Sequence, residues 1–294
     1  MQEQIGFIGL GVMGTPMALN LARSGAPVAV WSRSKDRYAE LGAAGACTVE
    51  KVVDVFAQCR VVILMLADDD AIDTVLGRHT ADFSVRVREH VIVNMGTTSP
   101  SHSRALATEI ESAAGHYVEA PVSGSRKPAE AGQLVVMLAG APEDVQEVRN
   151  IVKPLCRESI ICGAVPSALT MKLAVNLYLI TMVTGLAEAT HFAQRHGMDL
   201  AQFTSVLNNG QMASDISRVK LDKLTTQDFT VQAAITDVLK NSRLVAESAR
   251  SAGLASPLLD VCHALYGETV ALGHGSLDMA AVIRAIEWRT GTVQ

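Results

Sequence analysis

Aromatic side chains are scarce in this chain, 4% of its 294 residues, and positive charge is in deficit: 25 Lys and Arg face 30 Asp and Glu, a net charge of −5. The acidic balance leaves no basic footprint for nucleic acid or for an anionic membrane surface. The cysteines, Cys47, Cys59, Cys156, Cys162 and Cys262, are odd in number and show no C-x-x-C spacing, so neither a disulfide framework nor a thiolate metal site is expected. The histidines form no H-E-x-x-H or similar ligand set, and no metal is expected. The first residues, MQEQIGFIGLG, carry no basic stretch before a strand-like run, and a cytoplasmic location is expected. One apolar run, Ala168 to Ala187, approaches membrane-spanning length. It contains Lys172, Asn176 and three threonines and has no flanking aromatic belt, so a core helix is the expectation.

What the chain does contain is 49% hydrophobic residues with 22 glycines, enough for two domains with real cores. Up to about residue 163, short β-branched runs (5–9, 27–31, 60–66, 90–95, 116–120, 134–140, 159–162) alternate with helix-period segments (13–24, 35–44, 49–57, 69–76, 100–114, 142–155). Several runs are apolar on both faces, as in a parallel sheet covered by helices on each side. A doubly wound, Rossmann-type α/β domain over 1–163 follows. From Pro166 onward no strand pattern remains. An apolar helix of roughly 40 Å, at 1.5 Å per residue, runs to about Arg195, and helical patterns follow at 199–209, 213–223, 231–252, 256–273 and 278–288. Residues 164–294 are thus expected to form an all-α domain, opened by a spine helix shared between domains or between subunits.

GFIGLGVMG places Gly9, Gly11 and Gly14 in the G-x-G-x-x-G spacing between a strand and a helix, with Leu10, Val12 and Met13 completing the loop. Glycines there permit a tight turn and a close approach of backbone to a pyrophosphate, with the helix N-terminus facing the anion. An NAD site usually carries an acidic residue at the end of the second strand. This chain reads VWSRSKDR instead, so Arg33, with Ser32 and Ser34, is placed to clamp a 2′-phosphate, and NADP is favoured over NAD.

EAPVSGSRKPAEAGQL presents Ser123, Gly124 and Ser125 after a strand, a hydroxyl and backbone N–H arrangement suited to a carboxylate. NMGTTSP puts Thr97 at the carboxyl edge of the sheet, where open α/β sheets bind ligands. In MKLAVN, Lys172 and Asn176 stand four residues apart and share a helix face. Taken alone, this pair reads more economically as an exposed lysine and a satisfied asparagine. Next to a glycine fingerprint and an anion-binding loop at a domain joint, it reads as an acid/base lysine with a substrate-orienting amide. ADDD (67–70) reads as an acidic helix start.

These motifs together, GFIGLGVMGTPMALNL, APVSGS and MKLAVN, resemble the β-hydroxyacid dehydrogenase family, over essentially the whole chain. The family includes 3-hydroxyisobutyrate dehydrogenases and glyoxylate/succinic semialdehyde reductases and is related to 6-phosphogluconate dehydrogenase. APVSGSRKPAE and Arg33 are most similar to the reductase branch. The resemblance implies that Lys172 exchanges the proton of the carbonyl oxygen and that Asn176 positions substrate. It also implies that Ser123 and Gly124 hold the substrate carboxylate and that Met65, Leu66 and Thr97 line the nicotinamide half of NADP. The family's F…KD pattern maps Phe229 and Asp237 to the substrate side. Its lysine is replaced by Thr236, with Lys240 one turn further, and Gly96 stands where the family prefers serine.

The function implied is NADP-dependent interconversion of a small carboxylate-bearing aldehyde or keto acid with its hydroxyacid, in a homodimer or homotetramer. An imine reductase-like NADPH enzyme is the alternative, against which Lys172 speaks. A non-catalytic NADP-binding module is the other.

Overall fold

The computed structural model describes residues 3–292, in two compact units that meet in the chain between Lys172 and Leu173. In the first unit the elements run β1 (Ile5–Ile8), α1 (Gly14–Arg23), β2 (Val28–Trp31), α2 (Tyr38–Ala43), β3 (Cys47–Thr48), α3 (Val52–Gln58), β4 (Val61–Leu64), α4 (Asp69–Leu76), α5 (Asp82–Val87) and β5 (Val91–Asn94). They continue as α6 (Pro100–Ser112), β6 (His116–Glu119), β7 (Val122–Ser123), α7 (Arg126–Glu130), β8 (Leu134–Ala139), α8 (Pro142–Ile151), β9 (Cys156–Gly163) and the start of α9 (Ser167–Arg195).

Strands β3-β2-β1-β4-β5-β6 lie side by side and parallel, the order of a dinucleotide-binding sheet, with β8 antiparallel to β6 and β7 and β9 parallel to β8. The expected doubly wound domain is therefore present. Phe7, Val30, Ile63 and Val93 pack on one face of the sheet, and Ile8, Ala29, Val62 and Ile92 on the other. This two-sided burial is why those strands read as continuous apolar runs rather than alternating ones. Each fully covered Ile or Val contributes about 1.5–3 kcal/mol.

Short elements escaped the periodicity: β3, β7, α5 and α7 are two to six residues long, too short to display a period of 3.6 or to alternate convincingly. Helix starts were clearer. The Asp68 carboxylate caps α4, accepting from the Ala71 N–H at 2.8 Å, and Ser99 caps α6 with Pro100 at its first position.

The second unit continues α9 and adds α10 (Leu200–Asn209), α11 (Asp215–Thr226), α12 (Ile235–Ser251), α13 (Pro257–Ala271), a 3₁₀ turn (Met279–Val282) and α14 (Ile283–Thr292). Its core gathers Leu173, Ile180, Val183 and Ala187 of α9 with Leu224, Val238, Leu259 and Tyr266. By length and composition α9 is apolar enough to cross a membrane, and 39% of its most apolar window is buried inside the molecule.

Two boundaries differ from the sequence expectation. The domain division falls after Lys172, not after residue 163, because the first turn of α9 is tied to the sheet. Ala168 is buried with Met137 and Ala139, and the Glu119 carboxylate accepts from the Ala168 and Leu169 N–H groups at 3.0 and 3.1 Å. The periodicity over 231–252 places a helix start at 231, but α12 starts at Ile235. Residues ahead of it are held as a loop by Asp278, whose Oδ2 accepts from the Gln232 and Ala233 N–H groups at 2.9 and 3.2 Å.

Candidate active site

The glycine loop joins β1 to α1 at the middle of the parallel sheet. Gly9 has φ +103°, and a Cβ there would collide with the Met65 carbonyl oxygen; one on Gly14 would collide with the carbonyl oxygen of Gly9. Only glycine permits this closeness. A Cβ on Gly11, by contrast, would meet nothing within 4 Å, leaving its backbone open to a ligand. The head of α1 has no side-chain cap and no acidic residue in its first turn, so its dipole and the Gly14 N–H are left for an anion, while the Thr15 and Met17 N–H groups donate to the Gly11 and Met13 carbonyls and Pro16 has none. Leu10 is buried and can offer only backbone, its carbonyl accepting the Thr15 hydroxyl at 2.8 Å, whereas Val12 is 55% exposed at the loop tip. Met13 is half-buried on the core.

After β2, Ser32 is half-buried and its N–H donates to the Tyr38 hydroxyl at 3.2 Å; Arg33 and Ser34 are exposed. The neighbouring cations are spent: Lys35 pairs with Glu50, and Arg37 lies 3.9 Å from Glu40. Arg33 has no such partner among the described residues, which leaves its guanidinium for a phosphate. Met65 and Leu66 follow β4 at the same edge of the sheet, both half-buried, and Thr97 is half-buried after β5. A Cβ on Gly96 would stand 2.7 Å from the Leu66 carbonyl oxygen, so a serine there would force these two loops apart.

Ser123 ends β7, Gly124 adopts φ +132°, and Ser125 precedes α7 without its side chain capping it. Both serine hydroxyls are free of protein partners among the described residues.

Lys172 is the sixth residue of α9. It is 9% exposed and has no hydrogen-bond or ion-pair partner among the described residues. Burial pulls its ammonium down from 10.5 to about 8. Asn176, one turn along, is 3% exposed, and its Nδ2 is buried without a partner. A buried amide donor without a partner, beside a buried lysine on the same helix face, is costly unless a ligand meets it.

The positions mapped from F…KD look different. Phe229 is committed to the helical core, 8% exposed, with the Arg284 guanidinium 5.2 Å from its ring centre. Asp237 is exposed in the first turn of α12, where a carboxylate suits the helix dipole. Thr236 is exposed beside it and Lys240 is half-buried.

Sequence reasoning missed Glu119 and the Lys220–Asp278 pair. Glu119 is fully buried, and burial pushes its carboxyl above the usual range while Ser103 and the Leu169 and Ala168 N–H groups pull it back. An ionisable residue ending an otherwise apolar strand was the available signal. Lys220 Nζ lies 2.8 and 3.0 Å from the Asp278 oxygens, both residues essentially inaccessible. Nothing local in the sequence announces that pair.

The glycine cradle and uncapped helix define a nicotinamide-dinucleotide-binding unit, and comparison with known proteins agrees. Residues 4–163 match the NAD binding domain of 6-phosphogluconate dehydrogenase, and residues 167–286 match the NAD-binding region of NADP-dependent 3-hydroxyisobutyrate dehydrogenase. The chain is 30% identical to glyoxylate/succinic semialdehyde reductase 2, chloroplastic, of Arabidopsis thaliana, over 96% of this chain and 79% of that protein. It is 28% identical to 2-hydroxy-3-oxopropionate reductase of Escherichia coli (strain K12), over 97% of each. The solved structure of Mycobacterium tuberculosis 3-hydroxyisobutyrate dehydrogenase with L-serine shares the fold, with a TM-score of 0.85 at 23% identity over 97% of this chain and 99% of that one. The chain belongs to the β-hydroxyacid dehydrogenase family.

Proposed function

We propose that the protein is an NADPH-dependent reductase of small carboxylate-bearing aldehydes or keto acids, running in reverse as a dehydrogenase of the matching hydroxyacids. The observation that carries this reading is Lys172: buried, unpaired and titrating near 8, with the unpartnered Asn176 amide one turn away. The cofactor's nicotinamide, when bound at the glycine loop, would supply the hydride for the carbonyl carbon. The carbonyl oxygen then needs a proton, and Lys172, mostly ammonium at neutral pH, donates it from Nζ; in the reverse direction the neutral amine takes it back. Asn176 Nδ2 orients the substrate by donating a hydrogen bond. Ser123, Ser125 and the backbone at Gly124 hold its carboxylate. Arg33 binds the 2′-phosphate, with Ser32 and Ser34 beside it. The relatives named for glyoxylate, succinic semialdehyde and 2-hydroxy-3-oxopropionate support a substrate in which a carboxylate accompanies the reacting carbonyl.

The test is NADPH oxidation by purified protein against a panel of glyoxylate, succinic semialdehyde, 2-hydroxy-3-oxopropionate and cyclic imines. Turnover with a carboxylate-bearing aldehyde is expected. Turnover with imines alone would replace this reading by an imine reductase, and tight NADPH binding without any turnover would make the chain a non-catalytic module.

We also propose a cytoplasmic homodimer or dimer of dimers. All the cysteines are free thiols, and the helical unit exposes Tyr178, Val206, Met212 and Leu258 at 69, 72, 78 and 72%. Light scattering that found a monomer would contradict it.

A further inference from the structure

Glu119 sits fully buried at the end of β6, and no cation is among the groups that act on it. What surrounds it is a one-way relay of hydrogen bonds within the first unit. The Gly96 N–H donates to Asn94 Oδ1 at 3.0 Å, which fixes the amide so that Nδ2 points inward. Nδ2 can only donate, and it does so to the Thr98 hydroxyl at 3.1 Å and to the Tyr117 hydroxyl at 3.2 Å. The Tyr117 hydrogen therefore goes to Ser103 Oγ at 3.0 Å, and the Ser103 hydrogen to Glu119 Oε1 at 2.6 Å. Glu119 Oε2 accepts the Ala168 and Leu169 N–H groups.

A proton on Oε1 would reverse the Ser103 hydroxyl toward Tyr117 and leave the Tyr117 hydrogen facing the Asn94 amide with no acceptor. The relay thus favours an ionised Glu119. The carboxylate is placed on the first turn of α9, where an anion suits the helix dipole, and Lys172 lies three residues beyond Leu169.

We infer that Glu119 is a positioning residue: carried by Asn94, Tyr117 and Ser103, it clamps the head of α9 and fixes where Lys172 stands relative to the Gly96–Thr98 loop. The inference rests on the reading of Lys172 as the acid/base group. Glu119→Gln tests it, because an amide keeps only one of the two acceptor oxygens and must turn its NH₂ toward Ser103 or toward the backbone donors. The expected result is a kcat lower by about 10- to 100-fold, the usual cost of a small misplacement, with the KM for NADPH unchanged. The pH midpoint of the reduction, expected in the native protein near the Lys172 value of about 8, should move upward as the lysine loses burial. An unchanged kcat and midpoint would overturn the inference, as would a loss shared equally with NADPH binding at an unmoved midpoint.

Should Glu119→Gln fail to fold, Tyr117→Phe keeps the Glu119 carboxylate but breaks the relay that carries it and so loosens the clamp. A kcat about fivefold lower, the worth of one neutral hydrogen bond, is expected with an upward midpoint, and wild-type values would count against the relay. Lys172→Met assayed in parallel separates the two claims: if it turns over normally, the acid/base reading fails. A ¹³Cε-lysine NMR titration of Lys172 in Glu119→Gln then still decides the clamp, a raised value supporting it and an unmoved one refuting it.

Discussion

Three lysines are buried on helices among the described residues, Lys172, Lys220 and Lys223, and two of them, Lys172 and Lys220, one in each unit, are handled in opposite ways. Lys220 of α11 lies 2.8 Å from Asp278, whose oxygens also accept from the Gln232, Ala233 and Ala280 N–H groups; every charge there has a protein partner. Lys172 of α9 has no partner among the described residues, and burial alone lowers it to about 8. A paired buried lysine is a structural bolt that holds the loop before α12. An unpaired one is kept at a cost to stability, which is intelligible when the missing partner is a reacting molecule. Two of the buried carboxylates divide the same way. Asp278 faces a cation, whereas Glu119 faces only hydroxyl and backbone donors and is pushed upward by burial.

Removing each lysine breaks the comparison most directly. Lys172→Met should lower kcat by about 10²- to 10⁴-fold, the contribution of a positioned general acid, with NADPH affinity retained by fluorescence titration. Lys220→Met should leave chemistry in the surviving folded fraction untouched but destabilise the protein by about 3–5 kcal/mol in urea, because Asp278 is left as an uncompensated buried charge.

The stability effect of Lys172→Met has the opposite sign. Because the folded value, about 8, lies below the ordinary 10.5, the unfolded chain binds more protons between those limits. The stability deficit is therefore complete below about pH 8 and disappears as pH rises toward 10.5. Lys172→Met should consequently unfold at higher urea at pH 7, by up to about 3 kcal/mol. If Lys172→Met proved as destabilised as Lys220→Met, the contrast between the two lysines would collapse.

In the native enzyme, reduction should fall as pH rises through about 8, and oxidation of the hydroxyacid should rise over the same range. Steady-state rates in both directions check this, and a shared midpoint ties them to one group. The smallest effect concerns the loop after β2. Arg33→Gln should raise the KM for NADPH by about 10- to 100-fold, the worth of a charge-assisted hydrogen bond of about 1.5–3 kcal/mol, and leave NADH unaffected. A native preference for NADH would remove Arg33 from the site.

Much of this was legible in the sequence, for identifiable reasons. The sheet strands bury both faces and so announce themselves as apolar runs, and Gly9 and Gly14 are dictated by collisions with backbone that any other residue would suffer. The helix–turn punctuation by Ser, Asp and Pro is likewise local chemistry. What stayed hidden depends on partners far along the chain. Phe229, mapped by resemblance to the substrate side, is packed into the helical core under Arg284, a choice made by residues 55 positions away.

The sequence alone determined the order of the longer elements, the dinucleotide loop and the presence of a lysine and an asparagine on one helix face, because each is written within a few residues. Only the tertiary structure decided which buried charge is paired. Glu119 reaches Ala168 across 49 residues and Lys220 reaches Asp278 across 58. Whether a lysine ends as a bolt or as a proton donor is set by what the fold brings to it, and no local pattern encodes that.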